Sequence, residues 1–393
     1  MKIGALGCCL IDYLYTENQY SHDRFRQLSS ITAGDGGLIG GGLVFAEDLE
    51  KFAGSPFGKV FESLIDEKAA TSSNLGGPAI ISLIHVSQLL GSGHAYHFNG
   101  VVGDDDVAKS IRLHVEKTLV EACFITQEQE KSPTTYVLND NRAANGKGER
   151  SFINVIGAAN HFDTTHIDDG FYKKDIVVFG GTALVPNLHE QIDIALVKAK
   201  AANAMTIVGT IYDFKNQKKN PTGRWPFGKE NGYSLTDLLV CDAHEALRMS
   251  GEEHLMSAAS WLMESGVGAF IITHGPLEII AWSSASSYFG ANELAQFPVC
   301  TYVDDLIHAD PSLRKDTTGC GDNFLGGVIA SICMQREQQG SGELDLNDCI
   351  IWGGASGGFA LMHHGGFYHE DVPGEKFRRL EPIVDAYRKQ LTW

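Results

Sequence analysis

The sequence predicts an α/β fold: a mostly parallel β-sheet with helices on both faces, and a small β lid beside it. Three observations lead there. Apolar runs of strand length alternate with amphipathic stretches along most of the 393 residues. The strand candidates are apolar nearly throughout, as strands covered on both faces must be. One polar-tipped hairpin pattern interrupts the alternation, and a hairpin inside an α/β chain is a natural lid over a sheet edge.

The elements follow in order. Ile3 to Cys9 reads as the first strand. Residues 16–73 leave the rhythm, with the glycine-rich AGDGGLIGGGLVF and the helical pattern FGKVFESLIDEKA. PAIISLIHVSQLLG then reads as a helix, with Pro78 in the first turn, where its missing N–H costs nothing, and Gly91 as C-cap. Ala95 to Val102 is the next strand. TTYVL and RSFINVI flank the polar DNRAANGKGE and read as the hairpin. Asp175 to Phe179, Met205 to Ile211, Leu238 to Val240 and Ala269 to Thr273 continue the strands, with helical HEQIDIALVKAKAANA and EEHLMSAASWLMESG among them. Asp213 to Tyr233 reads as a loop near the active face, because sheets of this kind bind ligands at the carboxyl ends of their strands.

Composition limits the partners. With 49 acidic and 31 basic residues the net charge is −18, which argues against nucleic acid and anionic membranes as partners. A hydrophobic share of 43% allows a large core and excludes wholesale disorder. The 8 cysteines include no CxxC pair, so they read as reduced thiols rather than as a zinc ribbon or redox motif. The uncharged stretch Cys349 to His369 is broken by glycines and histidines, and the apolar run before Cys8 is too short for a signal peptide. A soluble cytoplasmic protein is expected.

The most informative segment is DTTGCGDNFLGGVIASICM, residues 316–334. Phe324, Leu325, Val328, Ile329 and Ile332 share a helical face, so the helix begins near Gly321 with Asp322 in its first turn. Gly319 and Gly321 free the preceding backbone to turn N–H groups toward one point, where the helix dipole favours negative charge. A carboxylate beside such a nest can take a proton from an attacking hydroxyl. The plain alternative is a glycine turn with Asp322 as an ordinary helix-start residue. Gly326 and Gly327 in the helix imply that something packs closely against them. Asp242 and Glu245, three apart at a helix start, read either as functional carboxylates or as residues that satisfy the dipole. Competing chemistries lack support: there is no GxxxxGK[ST], GxGxxG or HExxH. GGASGG holds a formal GxSxG around Ser356, but no acidic residue lies between Ser356 and His369, the last His, so a hydrolase triad in the usual order cannot be completed.

Asp316 through Asp322, followed by Gly326 and Gly327, resembles the C-terminal signature of the PfkB, or ribokinase-like, carbohydrate kinases, with Cys320 in a slot that is usually Ala. Other segments resemble that family in the same order. Gly7 with Asp12 is similar to its first strand and the acid that binds substrate hydroxyls; Gly76 and Gly77 to its glycine pair; GVVGDDD to the turn after the next strand. CDAHE places Asp242 and Glu245 at the family's Asn-x-x-Glu, and Thr273 to Gly275 resembles its nucleotide-binding turn. Two departures stand out: Ile80 and Ile81 where the family carries a substrate-binding Asn, and Asp242 in place of Asn.

The resemblance implies a ribokinase-like fold, with residues 1–15 and 74–393 as the kinase domain, lid strands within 1–15 and 133–156, and 16–73 as a lid-associated insertion. It implies ATP-dependent phosphorylation of a hydroxyl on a sugar or sugar acid. Asp322 would be the base and the N–H groups of Gly319, Cys320 and Gly321 an anion hole. Asp12, Asn74, Gly76 and Gly77 would meet the substrate, and Asp242, Thr273 and Gly275 the nucleotide. Glu245, with Asp242, would hold Mg²⁺ through water, and Asp316 would line a K⁺ site. Pairing of lid strands between subunits, and so a homodimer, is a further implication, with 16–73 as a competing cover for that edge. Two alternatives stay open: a nucleoside kinase of the same fold, and a catalytically weak sugar- or nucleotide-binding protein.

Overall fold

Neighbouring residues along the central strands feed two different cores, which is why those strands are apolar throughout. The protein is described by a computed structural model covering residues 1–16, 20, 22–32, 34–66, 68–140, 149–229, 231–315 and 317–391. Its strands are β1 (Lys2–Gly7), β2 (Leu10–Tyr15), β3 (Leu43–Phe45), β4 (Ser72–Gly76), β5 (Ala95–Gly103), β6 (Val120–Gln127), β7 (Thr134–Asp140), β8 (Glu149–Val155), β9 (Ile176–Gly180), β10 (Met205–Gly209), β11 (Leu238–Asp242), β12 (Ala269–Thr273), β13 (Glu278–Ser283) and β14 (Asn292–Pro298).

The large sheet runs β14-β13-β12-β11-β10-β9-β1-β5-β6, parallel except where β13 and β14 turn back. Ile3, Ile176, Val178 and Ile207 enter the core on one face, and Leu6, Val177, Phe179 and Val208 the core on the other. Each fully buried aliphatic side chain contributes about 1.5–3 kcal/mol of transfer free energy. The six expected strands are present, most with ends within a residue or two of those read from the sequence. The sequence reading missed β6, β13 and β14. Strands β6 and β14 are the two edges of the sheet and mix polar with apolar residues because one side of each meets solvent.

The helices support the same reading. Pro78–Leu90 starts on its proline and stops at Gly91, whose φ is 67°. Cys320–Gln339 starts one residue before the expected position, with Asp322 in its first turn. Gly326 and Gly327 are where neighbouring helices come closest: an added Cβ would lie 2.8 Å from His85 Cβ at the first and 2.4 Å from the Trp352 carbonyl oxygen at the second. The expected loop Asp213 to Tyr233 contains a short helix, Phe214–Lys219, capped by Asp213, because Trp225 and Phe227 anchor the segment in a core.

A second sheet runs β3-β8-β7-β2-β4. The first expected strand, Ile3 to Cys9, is β1, which ends at Gly7; β2 begins beyond it at Leu10 and joins the small sheet. The antiparallel hairpin β7/β8 is present, and its tip, 141–148, lies outside the described residues. From 16–73 come β3, which pairs with β8, and the start of β4, which pairs with β2, so a boundary at 74 would cut through β4. The helices Asp23–Leu28, Ala46–Ala53 and Phe57–Ile65 set Phe25, Leu49, Val60 and Leu64 against Leu138 and Ile153 on one face of this sheet. No helix among the described residues is long and apolar enough to cross a membrane.

Candidate active site

Of the expected site residues, Asp242, Glu245, Thr273, Gly321 and Asp322 gather beyond the carboxyl ends of β10, β11 and β12. Asp242 ends β11 and is N-cap of the helix Ala243–Ser250. Its Oδ1 accepts from the Glu245 N–H at 2.8 Å, and Glu245 Oε2 accepts from the Asp242 N–H at 2.9 Å, a reciprocal capping box. The Thr210 hydroxyl donates to the same Oε2 at 2.6 Å. Burial, reinforced by the Asp242 charge, raises the Glu245 pKa above the usual carboxylate range.

Asp322 approaches from the other side. Gly319, the N-cap of its helix, has φ 79°, and a Cβ there would lie 2.2 Å from Gly366 Cα, so the turn tolerates only glycine. Desolvation by burial pushes the Asp322 carboxyl up to about 7. The Cys320 N–H makes a long 3.3 Å bond to the Thr317 carbonyl, and the space around Gly321 is open.

A cavity of about 100 Å³ lies between these groups, with Thr210, Asp242, Glu245, Thr273, Gly321 and Asp322 in its wall. Its wall holds three carboxylates and no Lys or Arg. Such a donor set suits a hard cation. Among the described residues no three His, Cys, Asp or Glu side chains cluster tightly enough to hold a metal directly. Carboxylates that reach a metal through its own water shell therefore fit Mg²⁺, which dehydrates reluctantly. Asp316 lies outside the described residues. Gly275, in the turn after β12, has φ 53° and nothing within 4 Å of where a Cβ would be.

The small sheet carries the other expected residues. Strand register places Asn74, Asp12, Thr135 and Asn154 side by side across β4, β2, β7 and β8, so one polar row shares a face. Burial raises the pKa of the Cys8 thiol, and the charges of Asp12 and Asp322 add to the effect, so Cys8 feels both carboxylates. A Cβ on Gly76 would lie 2.3 Å from Asp12 Oδ2, and one on Gly77, whose φ is 109°, would lie 2.3 Å from the Cys8 carbonyl oxygen. The glycine pair thus makes room for β2 and its carboxylate. Asn74 spends its amide on the protein: Nδ2 donates to the His364 and Phe367 carbonyls at 2.8 and 3.2 Å, and Oδ1 accepts from the Leu75 N–H at 2.9 Å. Ile80 and Ile81 are fully buried in the core.

Sequence reasoning missed Arg150. From β8 its guanidinium donates to the Thr318 hydroxyl at 2.7 Å and to that of Thr317, just ahead of Gly319. The available signal was alternation, since Arg150 and Asn154 lie on the same face of one strand. Thr135 and Asn154 were missed for the same reason. Ser356 lies inside the helix Leu346–Ala360, fully buried, so the GxSxG match forms no nucleophile elbow.

The model of the pfkB family carbohydrate kinases matches residues 48–370. Adenosine kinase from Schistosoma mansoni, solved with 2-fluoroadenosine, aligns with a TM-score of 0.68 at 16% identity, over 94% of this chain and 97% of that one. A probable sugar kinase from Rhizobium etli CFN 42 aligns with a TM-score of 0.68 at 13% identity, over 97% and 98%. Ribokinase from Thermotoga maritima aligns with a TM-score of 0.61 at 16% identity, over 99% of each chain. At such identities the likeness shows the fold, which is the expected ribokinase-like one. No curated protein matches the sequence.

Proposed function

Because the chain belongs to the pfkB family of carbohydrate kinases, whose members are phosphotransferases, we propose that it transfers the γ-phosphoryl group of ATP to a hydroxyl of a sugar or sugar acid. The observation that carries this reading is the setting of Asp322: a carboxyl raised to about 7, in the first turn of a helix, beside a cavity with two further carboxylates. A base with that pKa is half-ionised near neutral pH and is a stronger proton acceptor than an ordinary Asp.

Asp322 takes the proton of the acceptor hydroxyl as its oxygen attacks the γ-phosphorus in line. The new O–P bond forms as the bond to the bridging oxygen breaks and ADP departs. The N–H groups of Gly319 and Gly321, and that of Cys320 when it exchanges its long bond to the Thr317 carbonyl, meet the growing negative charge at the helix start, where the dipole adds to their effect. Arg150 brings a guanidinium from the lid to the same turn. When bound, Mg²⁺ would neutralise phosphate charge, and Asp242 and Glu245 would hold it through its waters. Thr273 and Gly275 border the nucleotide.

The polar row Asp12, Thr135 and Asn154 receives acceptor hydroxyls, and Gly76 and Gly77 let the acceptor and β2 approach. Asn74 acts indirectly, by fastening the 364–367 segment. A row of side chains that can both donate and accept matches a polyhydroxylated acceptor.

The test is a panel of sugars, sugar acids and nucleosides with ATP and Mg²⁺, read as ADP release and product mass. Phosphorylation of a sugar or sugar acid is expected. Transfer to nucleosides alone would replace the acceptor, and ligand-induced thermal shifts with no ADP from any compound would replace the kinase with a binding protein.

A further inference from the structure

Behind the Asp322 turn lies a buried polar network that the steps above leave unused. Lys376, in the helix Glu375–Leu391, is 1% exposed, and its Nζ donates to Asn323 Oδ1 at 2.9 Å and to Gln88 Oε1 at 3.0 Å. Asn323 follows Asp322 directly and is fully buried. Its Nδ2 donates to the Gly319 carbonyl at 2.8 Å and to the Gly366 carbonyl at 2.9 Å. His85 Nδ1 lies 2.7 Å from the same Oδ1, and His85 Nε2 lies 2.9 Å from Ser356 Oγ.

The chemistry of the partners assigns the protons. The two backbone carbonyls can only accept, so Asn323 Nδ2 faces them and Oδ1 faces Lys376, whose amine donates whether charged or neutral. His85 must then donate from Nδ1 and accept the Ser356 hydroxyl at Nε2. Burial first, and the Lys376 charge second, lower the His85 pKa well below its ordinary value, which agrees with that neutral tautomer. Gln88 is oriented in the same way, because its Nε2 donates to the Tyr368 carbonyl at 2.7 Å. One lysine amine therefore meets two amide oxygens, and these amides hold the backbone of Gly319, Gly366 and Tyr368.

Stability alone does not account for such a lysine. A buried charge is expensive to desolvate, and an apolar side chain of similar volume is often as stable or more so. Glu370 is the nearby acid whose charge favours the ammonium, against the burial that lowers the Lys376 pKa. Holding Gly319 has a direct consequence. Its carbonyl shares a peptide unit with the Cys320 N–H, so a donor on the carbonyl makes that N–H a stronger donor itself.

We propose that Lys376 is a positioning residue for phosphoryl transfer: through the Asn323 amide it locks the Gly319 turn against the Gly366 loop and so sets the geometry of the anion hole. The proposal rests on the kinase reading of the site, and its test separates the two. In Lys376→Met, amide hydrogen exchange should speed up about tenfold in segments 317–323 and 364–368 and little elsewhere. In the same variant kcat should fall about 10- to 100-fold, with KM for ATP and acceptor within about twofold. Asn323→Ser keeps a hydroxyl for His85 and Lys376 but loses both donors to the carbonyls, so it should show the same kcat loss at constant KM. Exchange unchanged in both segments overturns the proposal, as does a folded Asn323→Ser protein with normal kcat. Exchange that rises evenly along the chain with unchanged kcat also overturns it, in favour of a purely structural lysine. If the wild type releases no ADP with any acceptor, the kinase reading fails, and the exchange measurement alone decides whether Lys376 locks the turn.

Discussion

Arg150 on β8 donates to the Thr318 hydroxyl at 2.7 Å, across 168 residues of sequence, and so ties the small sheet to the turn that begins the Asp322 helix. This contact brings a cation to the turn ahead of Gly319, while the wall of the cavity that includes Gly321 and Asp322 holds no Lys or Arg. Arg150→Ala is expected to lower kcat about 100-fold with a smaller change in KM for ATP. Steady-state kinetics check this, and unchanged kcat would remove Arg150 from the reaction.

Asp322→Asn should leave folding and ligand binding nearly intact while lowering kcat by roughly 10²- to 10⁴-fold. In the wild type, kcat should rise with pH as the carboxyl ionises through about 7 and level off above it. A kcat that is flat between about pH 5.5 and 8.5 would rule out Asp322 as the base.

The same carboxyl makes a prediction for stability. Its folded pKa of about 7 lies above the ordinary 3.8, so the folded state binds more protons between those values. Its contribution is full below about pH 4 and is lost as pH rises through about 7. Asp322→Asn should therefore melt above the wild type at pH 8, with the difference shrinking toward pH 4. Calorimetry at the two pH values measures this, and equal melting temperatures at pH 8 would contradict the burial argument.

Glu245→Gln keeps an oxygen to accept from the Asp242 N–H and the Thr210 hydroxyl, so the helix cap survives while the carboxyl that would ionise toward Mg²⁺ is lost. The Mg²⁺ concentration that gives half-maximal rate should rise about tenfold, with little change at saturation. A metal titration that overlays the wild type would show that Glu245 serves only as a cap.

Gly76→Ala would put a Cβ 2.3 Å from Asp12 Oδ2 and push that carboxylate aside. KM for the acceptor should rise about tenfold or more while KM for ATP stays constant. An unchanged acceptor KM in a folded variant would show that Asp12 does not meet the substrate.

Much of the fold was legible because it is written in local patterns. The buried strands are apolar runs, the Pro78 helix carries its own start and stop, and the Asp322 helix follows from the spacing of Phe324, Leu325, Val328, Ile329 and Ile332. Edge strands β6 and β14 escaped notice because a strand with one wet side has no continuous apolar run. Within the site, Asp242, Glu245, Thr273, Gly321 and Asp322 were named from sequence and line one cavity. Asn74 was named as a substrate contact, but its amide is held by carbonyls about 290 residues away, a partnership that no local pattern encodes.

By itself the sequence determined the α/β class, the order of the central strands along the chain, and which helix start carries the acid at Asp322. These depend on hydrophobic periodicity, on proline and glycine geometry and on the helix dipole, all of which act within a few residues. Tertiary structure alone decided that β3 and the three helices between residues 23 and 65 join and cover the small sheet, that Arg150 reaches Thr317 and Thr318, and that Lys376 meets Asn323. Hydrogen bonds form wherever packing brings a donor to an acceptor, and packing is set by the whole core rather than by any segment of the chain.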